Sequence, residues 1–218
     1  AEWLADKLGG KGNIVVLTGV PGTSVDTQRT EAAKEVFAKY PDIKIVAEAP
    51  GMWSQAVART ELSKILATHS WDDIDGLWLQ VGCFTANAMQ LEAGKKTEEL
   101  LPCAGEGSNG GRIQMLPADT EVEGASMPYA PMGAPRISYA SPPYSGALAL
   151  KLAVKKLEGG EIDKLTVLPL PVVTNETIKY CEEGTWQEMA DGCNAFPPSL
   201  VSNPGWFASI YSPETPEV

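Results

Sequence analysis

The sequence predicts an α/β fold built on a doubly wound parallel sheet. Apolar runs alternate with amphipathic segments, and each of these runs is followed by a stretch rich in glycine, proline, threonine and serine. The apolar runs are continuous, which is typical of strands that are covered on both faces. An alternating order of strands and helices gives parallel strands with right-handed crossovers. The loops after the strands are therefore expected to collect at one edge of the sheet, the carboxyl edge.

Four strand–helix units are predicted in succession, and a helix over residues 2–8 leads into the first. The strands are predicted over residues 13–19, 43–49, 76–82 and about 99–104. The helices are predicted over residues 25–40, 54–68 and 84–94, where apolar residues recur at helical spacing.

The second part of the chain has weaker periodicity. Residues 105–136 are predicted to be loop with one short helix, and residues 138–143 to be a crossing segment. An apolar helix is predicted over residues 145–158. Residues 165–173 have strand character but contain two prolines, which indicates an edge strand or a connector.

The composition indicates a globular protein and limits its partners. Of the 218 residues, 44% are hydrophobic, and the formal net charge is −11. Nucleic acids and anionic membranes require a basic surface, so neither is an expected partner. The apolar runs are too short to span a bilayer, and no signal peptide is visible at Ala1, which suggests a mature, trimmed or truncated chain.

The four cysteines predict two disulfides in an oxidising compartment. Cys181 and Cys193 flank a short polar stretch and form the first expected pair. Cys83 and Cys103 lie near the third and fourth predicted strands and form the second; the alternative is that they are buried free thiols. No zinc site is expected, because close ligand spacing is absent and the chain has a single histidine.

Arg29 is the first candidate for a ligand-binding residue. It precedes Ala32 and Ala33 by three to four residues, so the helical period places it on their inward face. A buried guanidinium needs a partner, and its planar donors suit vicinal hydroxyls. The alternative is an ion pair with Glu106 or a cap on loop carbonyls.

The other candidates follow the remaining strands. Trp53 offers a flat indole face to the C–H face of a sugar, or else it covers the core. Glu106 can accept two hydroxyl protons, or else it faces water. Gln80 lies at the end of the third predicted strand and faces either the cleft or the core, while Tyr139 and Ser141 in the crossing segment are expected to reach the cleft.

Catalysis and cofactor binding have little support in the sequence. The loop at residues 19–24 lacks both the Gly-Lys-Ser/Thr ending of a P-loop and the spaced glycines of a dinucleotide fold. With His69 as the only histidine, no Ser–His–Asp or Cys–His set is available. We therefore expect a binding protein without enzymatic activity, cofactor or metal.

These motifs resemble the second lobe of type I periplasmic solute-binding proteins of sugar ABC transporters, within the ribose-binding branch. The resemblance covers about residues 1–173. It is carried by Gly-Thr-Ser ahead of Arg29, by Trp53 after Ala-Pro, by the Asp-Gly-Leu-Trp strand and by Ala-Leu-Lys-Leu near Lys151. It implies an arginine, a stacking aromatic and an acid at Arg29, Trp53 and Glu106. The family often has aspartate at the third place and Asn-Asp where this chain has Val81-Gly82, which points away from ribose itself.

The resemblance also implies an organisation and a setting. Residues 1–137 would form the lobe, residues 138–173 would cross over and pack on a first lobe that this sequence lacks, and residues 174–218 would be an extension with a disulfide. A sugar or polyol ligand, a membrane permease partner and a periplasmic location follow, as does self-association through residues 145–158. The alternatives are the effector-binding lobe of a LacI-type regulator and, more remotely, a flavodoxin-like enzyme domain.

Overall fold

The computed structural model describes residues 1–139, 144–168 and 170–206. Its helices are α1 (Glu2–Lys7), α2 (Ser24–Phe37), α3 (Gln55–Ile65), α4 (Cys83–Glu92), α5 (Asn109–Met115), α6 (Ser145–Leu157) and α7 (Trp186–Ala190). Its strands are β1 (Lys11–Thr18), β2 (Asp42–Pro50), β3 (Gly76–Leu79), β4 (Cys103–Glu106), β5 (Arg136–Tyr139) and β6 (Val172–Thr174).

The strands form one sheet in the order β2-β1-β3-β4-β5-β6. The pairings from β2 to β5 are all parallel, and β6 pairs with β5 in the antiparallel direction. This arrangement confirms the predicted doubly wound α/β fold. An edge strand is present as β6, but it covers only Val172–Thr174, whereas strand character was predicted over residues 165–173.

Alternate residues of the strands enter two cores, one on each face of the sheet. Val15 and Leu17 of β1 pack with α3 and α4, while Ile14 and Val16 pack with α1 and α2. Both faces of the central strands are therefore covered by helices, which accounts for the unbroken apolar runs in the sequence.

The later elements differ from the predicted ones. Residues 97–99 form a short 3₁₀ helix, so β4 begins at Cys103 and not at residue 99. Arg136 and Ser138 lie in β5, where a loop and a crossing segment were predicted. Their side chains are buried although they are polar, so this strand lacks the apolar pattern by which the other strands were recognised. The division of the chain at residues 137 and 173 remains a prediction. Residue 137 lies within β5 and residue 173 lies within β6, and these two strands pair in the same sheet. Ser141 lies outside the described residues.

Both predicted disulfides are formed, so the alternative of buried free thiols is wrong. The Cys83–Cys103 bridge joins the start of α4 to β4 inside the larger core. The Cys181–Cys193 bridge lies in the C-terminal extension, where it packs with Phe196 in a small separate core. Among the residues that the structure describes, no helix is long and apolar enough to cross a membrane.

Candidate functional site

The five predicted ligand-binding residues lie at or near the carboxyl edge of the sheet. Tyr139 and Glu106 are the last residues of β5 and β4, and Gln80 directly follows β3. Trp53 lies in the loop after β2, and Arg29 lies in the second turn of α2, which follows β1. Open parallel sheets bind ligands at this edge, so the placement agrees with the general rule for the fold.

Trp53 and Gln80 are in direct contact. The indole Nε1 of Trp53 donates a hydrogen bond of 2.8 Å to Oε1 of Gln80. The Gln80 amide, which is 1% exposed, donates in turn to Asp26 Oδ1 at 2.8 Å and to Thr30 at 3.1 Å. The Gln80 side chain is therefore buried between Trp53 and α2, and its amide holds the orientation of the indole ring.

The backbone around Trp53 has an uncommon conformation. Met52 and Trp53 both have positive φ, at 57° and 51°. Non-glycine residues pay about 1–3 kcal/mol for such conformations, which cluster at functional sites. The indole also lies against Gly19, where a Cβ would be 2.3 Å from the ring. The approach of the ring thus depends on glycine at position 19.

Arg29 and Tyr139 form a second contact. The guanidinium carbon of Arg29 lies 6.0 Å from the centroid of the Tyr139 ring, within the range of a cation–π interaction. Both line a groove of about 360 Å³ that also contacts α1. Burial raises the pKa of Tyr139 to about 12, although the charge of Arg29 acts in the opposite direction. Tyr139 therefore keeps its phenolic proton at neutral pH.

Glu106 is held mainly by groups of the protein itself. Its Oε1 accepts hydrogen bonds from Gln55 and Ser108, both at 3.1 Å, and its Oε2 accepts one from the Gly82 amide at 3.1 Å. Arg136 lies 3.2 Å from Oε1 and is fully buried. Among the residues that the structure describes, the cation paired with Glu106 is thus Arg136 and not Arg29.

Three residues of this edge were missed by sequence reasoning. Asp26 shares a helical face with Ala33 and Phe37, and this spacing could have placed it inward, in the position assigned to Arg29. Gln55 connects the Glu106 carboxylate to Thr85, because the Thr85 hydroxyl donates a hydrogen bond of 2.6 Å to Oε1 of Gln55. Arg136 gave no signal, because it lies in a segment that was predicted to be a loop.

The arrangement offers a binding surface with polar and flat apolar parts. The indole of Trp53 offers a flat apolar face, while Arg29 and Tyr139 offer donors. The structure brings Trp53 together with Gln80 and Arg29 together with Tyr139, and it keeps Glu106 in its own network. Among the described residues, no group of three or more His, Cys, Asp or Glu side chains is arranged to hold a metal ion.

Comparison with known proteins defines the class. The family described as "Periplasmic binding protein domain" matches residues 1–162, and the chain belongs to this family of substrate-binding proteins. A xylitol-binding protein of Mycolicibacterium smegmatis is 36% identical over 96 residues, which is 43% of this chain and 27% of that protein.

Solved structures share the fold. A solute-binding protein of Actinobacillus succinogenes with bound D-allose is 26% identical, with a TM-score of 0.60, over 80% of this chain and 56% of that one. A solute-binding protein of Thermobispora bispora is 21% identical, with a TM-score of 0.65, over 97% of this chain and 57% of that one. The chain thus spans little more than half the length of these relatives.

Proposed function

We propose that this chain contributes to the substrate-binding component of an ABC transporter for a monosaccharide or related polyol. The observation that carries the proposal is the strained, hydrogen-bonded Trp53 at the carboxyl edge of a periplasmic-binding-protein fold. The relatives that are named for xylitol and that contain D-allose support the ligand class. Binding would proceed without catalysis, as is usual for substrate-binding proteins.

The proposed chemistry uses each side chain according to its contacts. The indole of Trp53 would cover the C–H face of the ligand, which removes apolar surface from water. Arg29 would donate to vicinal hydroxyls, and neutral Tyr139 would add an O–H donor. Gln80 would act in binding mainly by holding the indole. The Glu106 carboxylate would accept a ligand hydroxyl at Oε2, beside the Gly82 amide.

The setting is proposed from the family and the disulfides. Two disulfides favour an oxidising compartment, which for a transporter's binding component is the periplasm. A membrane permease would be the protein partner. The same two disulfides speak against the alternative of a cytoplasmic LacI-type regulator, because cytosolic proteins seldom keep such bridges.

Calorimetry against pentoses, hexoses and polyols, including xylitol, tests this function. The chain by itself would leave one face of the ligand in water, so we expect the best ligand to bind with an affinity in the millimolar range. Arg29→Met should weaken that affinity about tenfold, since hydrogen bonds to charged groups contribute about 1.5–3 kcal/mol. Lys34→Met is the control, because Lys34 lies on the same helix and pairs with Glu48 on the surface. An Arg29 variant with unchanged affinity, or a panel without any bound member, would contradict the proposal.

Self-association of the isolated chain is a separate prediction. The exposed side chains Leu150, Val154 and Leu157 form an apolar stripe along α6. A contiguous apolar stripe of this kind drives association in water. Light scattering should show a species larger than a monomer, and Leu150→Lys combined with Leu157→Lys should restore the monomer. The control is Lys156→Glu, which changes an exposed residue of α6 outside the stripe; a wild-type monomer would refute the prediction.

A further inference from the structure

We infer that the C-terminal tail, residues 175–206, holds the Glu106 carboxylate in its binding position and that Arg112 is the positioning residue between them. The inference rests on the proposed function, because it concerns a carboxylate of the proposed site. It goes beyond that function in giving the tail a role in the site's geometry.

The tail covers α5, which begins three residues after Glu106. All seven residues of α5 are buried, although they include Asn109, Arg112 and Gln114. The Asn109 side chain exchanges two hydrogen bonds with the backbone of Phe196, at 2.8 and 2.9 Å. The amides of Asn109 and Gly110 donate to the carbonyls of Trp206 and Pro204, at 2.7 and 2.8 Å. The tail thus supplies acceptors to helix amides that have no partner within α5.

Arg112 connects this covered helix to the ends of two strands. Its guanidinium is 2% exposed and donates from Nη1 to the carbonyl of Asn194 at 3.0 Å. From Nε it donates to the Ser138 hydroxyl at 3.3 Å. Ser138 in turn donates to the carbonyl of Glu106 at 3.4 Å. Two buried side chains, Arg112 and Ser138, therefore join the tail to the backbone of the residue that carries the site's carboxylate.

The tail is itself anchored at both sides of this contact. Asn194 directly follows Cys193, so the disulfide to Cys181 restrains the carbonyl that Arg112 binds. At the start of the tail, Asn175 accepts from the Arg136 amide and donates to the carbonyl of Ala134, both at 2.9 Å. A buried guanidinium that loses an acceptor must find another, so loosening the tail would displace Arg112 and with it Ser138 and Glu106.

The Gly82 amide is a direct reporter of the Glu106 carboxylate, because it donates to Oε2. The backbone amide of Gln80 donates to the carbonyl of Leu17 within the sheet, and its exchange serves as an internal reference. Hydrogen exchange of both amides would be measured by NMR in the ligand-free 218-residue chain. In Arg112→Gln we expect Gly82 to exchange about tenfold faster while Gln80 is unchanged, as for a local opening.

Two further variants keep the test decisive if Arg112→Gln does not fold. Asn109→Ala and the pair Cys181→Ala with Cys193→Ala both loosen the tail and should also accelerate Gly82. Lys34→Gln removes an exposed cation elsewhere and should change neither amide. Equal acceleration of Gly82 and Gln80, or faster exchange at Gly110 with Gly82 unchanged, would overturn the inference, as would no change at any of these amides. No ligand is involved, so failure here is distinct from failure of the proposed function.

Discussion

Arg136→Met is expected to lower the free energy of unfolding by about 3–5 kcal/mol. Arg136 is fully buried, Glu106 is 4% exposed, and the two form an ion pair at 3.2 Å. Methionine has a similar length but no charge, so the variant leaves the Glu106 carboxylate buried without its cation. Urea unfolding followed by circular dichroism would measure the loss.

The matched control is Arg59→Met. Arg59 pairs with Glu92 on the surface, where both side chains are about half exposed. Exposed pairs of this kind contribute at most about 1 kcal/mol, because solvent screens them. Similar losses in the two variants would show that the buried pair contributes no more to the stability of the fold than an exposed pair does.

Removal of the Cys83–Cys103 disulfide is expected to cost about 3 kcal/mol by the loop-entropy relation. The bridge closes a loop with a sequence separation of 20 and lies in the core between α4 and β4. The double variant Cys83→Ala with Cys103→Ala should therefore lower the urea midpoint of the whole sheet.

The second disulfide provides the comparison. The Cys181–Cys193 bridge closes a loop with a separation of 12 in a small core of its own. Its removal should accelerate amide exchange in the tail and in α5. The backbone amide of Gln80, which donates a hydrogen bond to Leu17 in the central sheet, should stay protected. If the two double variants accelerated exchange of the Gln80 backbone amide equally, the separate roles assigned to the two bridges would be wrong.

The fold could be predicted where the sequence has a clear period. β1, β2 and β3 are apolar runs, and α2 and α3 have apolar residues at helical spacing, so their positions were found within a few residues. β5 could not be found, because its buried residues Arg136 and Ser138 are polar and their partners lie on other elements. A polar residue in a short strand has the same local signature as one in a loop.

The candidate site shows the same limit. The topology alone placed Trp53, Gln80 and Glu106 at one edge, because residues that follow parallel strands share that edge. Which of them touch depends on the side-chain packing of elements that are distant in sequence. The contact of Trp53 with Gln80, and the pairing of Glu106 with Arg136 in preference to Arg29, are of this kind.

The most direct test of the account is an NMR titration of the 218-residue chain with xylitol. The chain has six tryptophans, so each indole N–H can report on its own surroundings. We predict that the Trp53 indole and the Gln80 side-chain amide shift saturably at millimolar ligand, because the ligand would cover the indole face that Gln80 orients. The exposed Trp186 indole, on α7 in the tail, should remain unchanged. A fixed Trp53 signal at saturating xylitol and at saturating concentrations of other polyols, pentoses and hexoses, or a shift confined to Trp186, would contradict a sugar or polyol site at the carboxyl edge.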